Sequence, residues 1–247
     1  MLSYILLATF LASIVSLFLV GFFLLYKNLF ENYSFHMVSF AAGALLTTGF
    51  LDTMPEAVDM SKNSFLYITV FIALFFLVEK VLFGMHHHHP KKEQELKLRM
   101  PLPLLLFGDA LHNFIDGVSI ASTFLVSFPL GIVTSVAVFV HEIPHELGDF
   151  GILIHMGFGR MKVLGFNALT GLGAICGAIG GYFLGGKIEG LLPILLALAT
   201  ANFVYLALAD LLPEVQEKSR GMQSIYHAGF FLTGILFIFL LTLFVKE

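Results

Sequence analysis

Two short strings carry the side chains of this chain that are best suited to chemistry. Residues 112–116 read His-Asn-Phe-Ile-Asp, and residues 141–146 read His-Glu-Ile-Pro-His-Glu. Helical residues four apart share a face, so the two histidines of the second string stack, and so do its two glutamates. Imidazole, carboxylate and amide groups together suit borderline divalent cations such as Zn²⁺ and Fe²⁺. Both strings lie inside long hydrophobic segments, where such groups are costly, and we therefore predict a cation site within a helix bundle.

Composition places the elements that carry these strings in a membrane. The chain has 247 residues, of which 58% are hydrophobic and 12% charged, and its mean hydropathy is +0.92. Soluble domains are typically about 45–50% apolar and about 25% charged. We predict an all-α integral membrane protein whose residues 1–247 form a single transmembrane transport domain in the lipid bilayer. The net charge of −4 gives no indication of nucleic-acid binding, and the single cysteine excludes a disulfide framework.

Eight hydrophobic segments reach the roughly 20 residues that a spanning helix needs. If the N-terminus is outside, all 13 basic residues except Lys62, Lys187 and Lys246 lie on the cytosolic side, as the positive-inside rule prefers. We therefore expect a multi-pass cell-membrane protein with both termini outside and a cytosolic loop at 85–100. The expected spans are about 2–26, 34–58, 64–84, 101–126, 129–156, 162–186, 190–213 and 225–245.

A faint internal repeat relates the second and seventh spans. Residues 52–56 and 210–214 both read Asp-x-x-Pro-Glu, and each string follows a run of small residues. The two spans run in opposite directions, so the polar groups lie at opposite mouths, as in transporters with inverted repeats. The alternative is a helix-stopping string that arose twice by chance. At the inner end of the fifth span, Asp149 and His155 either continue the path or mark the helix end. The expected path residues are Asp52, Glu56, Asp149, His155, Asp210 and Glu214.

Other polar residues extend the predicted site. The cytosolic loop contains a histidine tetrad, which is typical of flexible metal capture, with a polar spacer as the alternative. The residues of this tetrad are His86, His87, His88 and His89. Asn167 is the polar outlier of a glycine-rich sixth span and could complete a coordination shell. The predicted metal ligands are His112, Asn113, Asp116, His141, Glu142, His145, Glu146 and Asn167.

An enzyme is the main alternative. Residues 141–145 match H-E-x-x-H, the zinc-protease pattern in which two histidines bind zinc and the glutamate is the base. An intramembrane metalloprotease would also be apolar. However, Pro144 lies between the two histidines, and the first string supplies more ligands than a three-ligand site with an open water position needs. We therefore expect a transporter and not an enzyme.

The two strings resemble the ZIP family of metal-ion transporters. The resemblance rests on H-N-F-x-D-G at His112–Gly117 and on H-E-x-P-H-E-x-G-D at His141–Asp149, which is similar to the subgroup with the His-Glu-x-Pro-His-Glu signature. The string from Ala199 to Glu214 is similar to the family as well. The resemblance implies an eight-helix bundle in a 3+2+3 arrangement, with outer three-helix blocks related by inversion. It also implies transport of Zn²⁺ as the favoured ion, or of Fe²⁺, Mn²⁺, Co²⁺ or Cd²⁺, into the cytosol.

The resemblance further implies a binuclear site between the fourth and fifth spans. It assigns one metal site to His112, Asp116, His141 and His145. A second site would use Asn113, Asp116, Glu142 and His145, with Asn167 as an addition. By analogy with the family, a homodimer is plausible.

Overall fold

The computed structural model describes residues 1–25, 27–84, 101–218 and 221–246, and every regular element within these ranges is helical. Eight of the helical spans are long and apolar enough to cross a membrane. The predicted class, an all-α protein that crosses the membrane several times, is thereby confirmed. The spans are α1 (Leu2–Leu25), α2 (Lys27–Thr47, Thr48–Thr53 and Met54–Met60), α3 (Ser64–Gly84), α4 (Leu102–Val126), α5 (Phe128–His155), α6 (Arg160–Lys187), α7 (Leu192–Tyr205, Leu206–Leu211 and Leu212–Lys218) and α8 (Met222–Lys246).

The two repeated spans share a backbone irregularity. A six-residue π-helical turn interrupts α2 at Thr48–Thr53 and α7 at Leu206–Leu211. A proline follows each turn at the second position of the next segment. Proline lacks an N–H and clashes with the carbonyl four residues earlier, and a wider turn relieves that clash. Both helices therefore continue past the proline, contrary to the alternative that the string merely stops a helix.

Packing follows the predicted repeat. The main helix contacts in one half of the molecule have counterparts in the other half. The counterparts are found by pairing α1 with α6, α2 with α7, α3 with α8 and α4 with α5. Thus α4 packs on α6 as α5 packs on α1, and α2 packs on α8 as α7 packs on α3. The contact of α2 with α5 likewise has its counterpart in the contact of α7 with α4. This pattern is the 3+2+3 arrangement, with α4 and α5 at its centre.

A very short turn aligns α4 with α5. Only Ser127 separates the two helices, and its hydroxyl accepts a hydrogen bond from the Leu130 N–H at 3.3 Å, which caps α5. Gly131 lies against the Phe124 ring, where a Cβ atom would come within 2.2 Å of a ring carbon. The two helices therefore run side by side from the turn, and residues equally far from Ser127 lie at one depth.

Close contact with α6 fixes α4. A Cβ atom at Gly117 would lie 1.9 Å from the Ala174 carbonyl oxygen, and one at Gly177 would lie 1.9 Å from the Phe114 carbonyl oxygen. Only glycine permits this approach, because any side chain would meet backbone atoms that cannot move aside. The backbone that carries the first string is thus held rigidly against its neighbour.

Candidate metal centre

Four ligand groups from α4 and α5 converge near the middle of the two helices. They are His112, Asp116, His141 and Glu142, and one ligand atom from each lies within 4.8 Å of all the others. The His141 Nε2 atom is 3.1 Å from Asp116 Oδ2 and 3.3 Å from His112 Nε2. The His112 Nε2 atom is 3.6 Å from Glu142 Oε1. We call this set the central cluster.

A backbone carbonyl sets the tautomer of His141. Its Nδ1 lies 3.2 Å from the Ala137 carbonyl oxygen, which can only accept a hydrogen bond. Nδ1 therefore carries the proton, and Nε2 presents a lone pair to the Asp116 carboxylate. Two lone pairs 3.1 Å apart repel each other unless a cation lies between them. Metal-binding histidines characteristically donate their other ring N–H in this way.

The carboxylates of the central cluster are buried, and three of their four oxygens lack a hydrogen-bond donor. Asp116 is 1% exposed and Glu142 is 2% exposed. Asp116 Oδ1 accepts a hydrogen bond from the Asn202 amide at 2.8 Å, but Asp116 Oδ2 and both Glu142 oxygens have no hydrogen-bond partner. Burying polar atoms without partners is expensive, and buried charges are normally paired or bound to metal. A divalent cation would satisfy all three oxygens at once.

A second group, the lower cluster, lies one helical turn farther from the α4–α5 turn. It consists of Asp109, His145 and Asp149. The His145 Nε2 atom is 3.9 Å from Asp109 Oδ1 and 3.5 Å from Asp149 Oδ2. The side chains of His145 and Asp149 are 33% and 16% exposed, so this cluster is wetter than the central one. The His145 and His112 rings stack with their centroids 4.4 Å apart, which joins the two clusters.

This grouping differs from the two ligand sets that the resemblance implied. His145 was expected in both sets; its ring does lie beside His112, but its closest carboxylates are those of Asp109 and Asp149, and Glu142 groups with His112, Asp116 and His141. The register of the hairpin accounts for two of these pairings, His112 with Glu142 and Asp109 with His145. His112 precedes Ser127 by 15 residues and Glu142 follows it by 15, whereas Asp109 and His145 are each 18 residues away. At 1.5 Å per residue the three-residue difference is about 4.5 Å in depth.

The remaining predicted ligands lie outside the central cluster. Asn113 donates hydrogen bonds to the Asp109 carbonyl and carboxylate oxygens at 3.1 and 2.9 Å, so it orients the lower cluster. Asn167 donates to Glu146 Oε2 at 2.5 Å, which ties α6 to α5. The side-chain Oδ1 atom of Asn167 is buried and has no hydrogen-bond partner. Asn113, Glu146 and Asn167 thus surround the two clusters.

The predicted path residues occupy varied environments. Asp52 is buried in the π turn of α2 and accepts a hydrogen bond from Thr242 on α8 at 3.1 Å. Glu56 is half-buried, whereas Asp210 and Glu214 are exposed. His155 is exposed at the end of α5, and its Nδ1 donates to the Gly151 carbonyl at 2.9 Å.

The predicted histidine tetrad cannot be placed relative to either cluster. The described residues leave out 85–100, the whole of the expected cytosolic loop. The loop residues for which metal capture was predicted, and which therefore lie outside the described residues, are His86, His87, His88 and His89. Their role stays a prediction.

One residue of the site escaped the sequence analysis. Asn202 on α7 holds Asp116 from outside the two strings. The available signal was a single amide in an otherwise apolar stretch of the seventh span, between Ala201 and Phe203. A polar side chain at such a position needs a polar partner, although the sequence does not say on which helix that partner lies.

Comparison with known proteins agrees with this geometry. The family model described as ZIP Zinc transporter matches residues 84–242. The chain is 38% identical over 128 residues to the zinc transporter ZIP6 of Homo sapiens, which covers 52% of this chain and 17% of that protein. It is 33% identical over 155 residues to the zinc transporter zipt-7.2 of Caenorhabditis elegans, covering 61% of this chain and 33% of that protein.

A third relative is matched over more of its length. The chain is 29% identical over 228 residues to the zinc transporter ZIP13 of Pongo abelii, which covers 85% of this chain and 67% of that protein. By contrast, the chain spans only 17% of ZIP6 and 33% of zipt-7.2. The family match includes both clusters as well as α7. The chain therefore belongs to the ZIP zinc transporter family.

Proposed function

We propose that this protein moves divalent transition-metal ions, zinc foremost, across a membrane and into the cytosol. The observation that carries the proposal is the central cluster, in which three buried carboxylate oxygens of Asp116 and Glu142 have no hydrogen-bond donor and face imidazole nitrogens in the middle of two spanning helices. Neutral imidazole and carboxylate oxygen are the ligands that Zn²⁺ takes in proteins, and they also accept Fe²⁺, Mn²⁺, Co²⁺ and Cd²⁺.

The path that we propose has three stages. Asp52 and Glu56 attract the ion at the outer mouth, and the central cluster replaces its water shell at mid-depth. The lower cluster then receives the ion, because its partial exposure allows water to re-enter the coordination shell. Conduction requires binding that is strong enough to admit the ion and weak enough to release it. We assign His155, Asp210 and Glu214 to the release side. The loop histidines, which lie outside the described residues, stay a predicted capture site and are His86, His87, His88 and His89.

We also propose an orientation and an assembly. Residues 1–247 act as one transport domain in the cell membrane, with both termini outside, which follows from the distribution of lysine and arginine. A cysteine introduced at Glu247 should react with an impermeant thiol reagent in intact cells, and a protected cysteine would contradict the orientation. We propose a homodimer by analogy with the family, and native mass spectrometry in detergent would test it.

Zinc uptake into proteoliposomes tests the proposed function. Asp116→Ala and His145→Ala should abolish uptake, because each removes a ligand of one cluster, while both proteins elute as folded material on size exclusion. Thr69→Ala is the control, since this exposed hydroxyl on α3 bonds only to the Phe65 carbonyl of its own helix in the described contacts. Unchanged uptake in both cluster variants would refute the assignment.

The protease alternative is not supported. The H-E-x-x-H mechanism needs both histidines on one zinc ion with the glutamate as base. Here His141 and His145 belong to different clusters, and Glu142 is itself one of the central ligand groups. Membership of a transporter family agrees with this geometry.

A further inference from the structure

A second pair of histidines lies away from both clusters, between α2 and α8. These helices pack backbone to backbone, since a Cβ atom at Gly43 would lie 2.1 Å from the Phe231 carbonyl oxygen, and one at Gly234 would lie 2.1 Å from the Phe40 carbonyl oxygen. Toward the first residues of both helices, this packing brings His36 of α2 next to His227 of α8. The pair belongs to neither of the repeated acidic strings.

The separation of the two rings suits a shared metal ion. Their centroids are 4.9 Å apart, and their planes are inclined by 36°. Two imidazoles on one tetrahedral zinc, each with a Zn–N distance of about 2.1 Å, have ring centroids roughly 5 Å apart. The two helices therefore hold the rings at a centroid separation that is compatible with joint coordination.

A neighbouring serine sets the tautomer of His227. The Ser39 hydroxyl donates its one proton to the Phe35 carbonyl oxygen at 2.8 Å. Its oxygen must then accept the hydrogen bond that joins it to His227 Nδ1 at 3.1 Å. The His227 proton therefore lies on Nδ1, and Nε2 carries a lone pair. His141 of the central cluster is prepared in the same way, with Nδ1 donating to the Ala137 carbonyl.

The surroundings of the pair are buried and aromatic. His227 is 7% exposed, and Ser39 is fully buried. The Phe230 ring meets the His36 ring edge-on at 4.6 Å, and the Phe35 ring meets the His227 ring edge-on at 6.5 Å. An ionisable pair inside a transmembrane bundle is costly and usually serves a function. Two nitrogen donors beside aromatic rings favour a cation that accepts imidazole readily.

We propose that His36 and His227 form an additional transition-metal site that bridges α2 and α8. The ligand class is a divalent cation with a preference for nitrogen, such as Zn²⁺ or Co²⁺, whose remaining positions are filled by water. Ser39 is a positioning residue that acts through His227. A bound ion would fasten α2 to α8 near their first residues and would leave the central cluster free for transport.

A cobalt titration tests this site apart from the others. The background protein carries Asp116→Ala, His145→Ala and alanine at all four loop histidines, which removes a ligand from the central cluster, the histidine of the lower cluster and every loop histidine. Purified in detergent, it should still bind Co²⁺ with the visible absorption of a nitrogen-ligated ion and should unfold at a higher temperature when Co²⁺ is present. His36→Ala and His227→Ala should each weaken this binding at least tenfold, and Ser39→Ala should weaken it ten- to a hundredfold, as loss of an outer partner does.

The controls separate this site from a packing role. Thr233→Ala removes an exposed hydroxyl of α8 that bonds to the Phe230 carbonyl of its own helix, and it should leave the titration unchanged. If the alanine variants do not fold, His36→Asn and His227→Asn, which retain an amide donor, replace them in the titration. If the variants at both histidine positions bind Co²⁺ as tightly as the background protein does, the proposed site is overturned. Because zinc uptake by the protein with an intact central cluster is measured separately, failure here leaves the proposed transport function standing.

Discussion

The hydrogen bond from Asn202 to Asp116 gives the sharpest prediction about the central cluster. The bond is 2.8 Å long and ends on a carboxylate oxygen that is buried with its whole side chain. Asn202→Ala should weaken zinc binding, because Asp116 Oδ1 loses its donor and Oδ2 is no longer aimed at the cluster. The helix α7 itself should remain in place.

The expected size follows from two independent magnitudes. A hydrogen bond to a charged acceptor contributes about 1.5–3 kcal/mol. Loss of a partner behind a metal ligand typically costs 10–100-fold in affinity, which is about 1.4–2.7 kcal/mol. The two ranges agree, so the zinc dissociation constant of Asn202→Ala should rise by roughly 10–100-fold. Competition with a chromophoric chelator in detergent measures it.

A matched variant of the same helix provides the control. The Thr200 hydroxyl is also buried, but it bonds to Thr53 at 2.8 Å and to the Leu196 carbonyl at 2.9 Å. Thr200→Ala should lower thermal stability by about 1 kcal/mol and leave zinc affinity within twofold. Equal zinc affinity in Asn202→Ala and in the unaltered protein would refute the view that α7 orients the metal ligand.

Four further predictions address charge, release, packing and protons. Glu142→Gln should weaken zinc binding at least tenfold and yet raise the melting temperature of the metal-free protein, since a buried charge without donors disappears. Asp149→Asn should slow uptake in proteoliposomes while zinc affinity at the central cluster stays within twofold. Gly177→Val should destabilise the protein by about 1–3 kcal/mol, measured by thermal melting, because its Cβ meets the Phe114 carbonyl; Gly180→Val, which faces open space, should not. Lowering the pH from 7.5 to 5.5 should weaken zinc binding in calorimetry, because an imidazole must be free of its second proton to coordinate the ion.

The sequence predicted those features of the fold and the site that depend on residues close together along the chain. Span length and hydropathy predicted the eight helices, since a bilayer imposes a minimum apolar length. The strings at 52–56 and 210–214 indicated the repeat, which appears in the structure as two π turns at one register. The two polar strings of α4 and α5 indicated where ligand groups would gather, because helical periodicity fixes which residues share a face.

Helical periodicity could not predict which residues of different helices contact each other. Asn202 reaches Asp116 from a helix 86 residues away in sequence, and Ser39 reaches His227 across 188 residues. The pairing of His145 does not depend on distant helices, because it follows from the one-residue turn at Ser127. Counting outward from that turn pairs His145 with Asp109, whereas the family resemblance had grouped it with His141.

Anomalous diffraction at the zinc absorption edge, from crystals grown with zinc, tests the central claim most directly. The account predicts a peak within about 2.0–2.2 Å of a nitrogen of His112 and of His141, and of an oxygen of Asp116 and of Glu142. Absence of a peak between α4 and α5, in crystals where other zinc ions are fully occupied, would contradict the account. So would a peak there that keeps its position and height in Asp116→Ala.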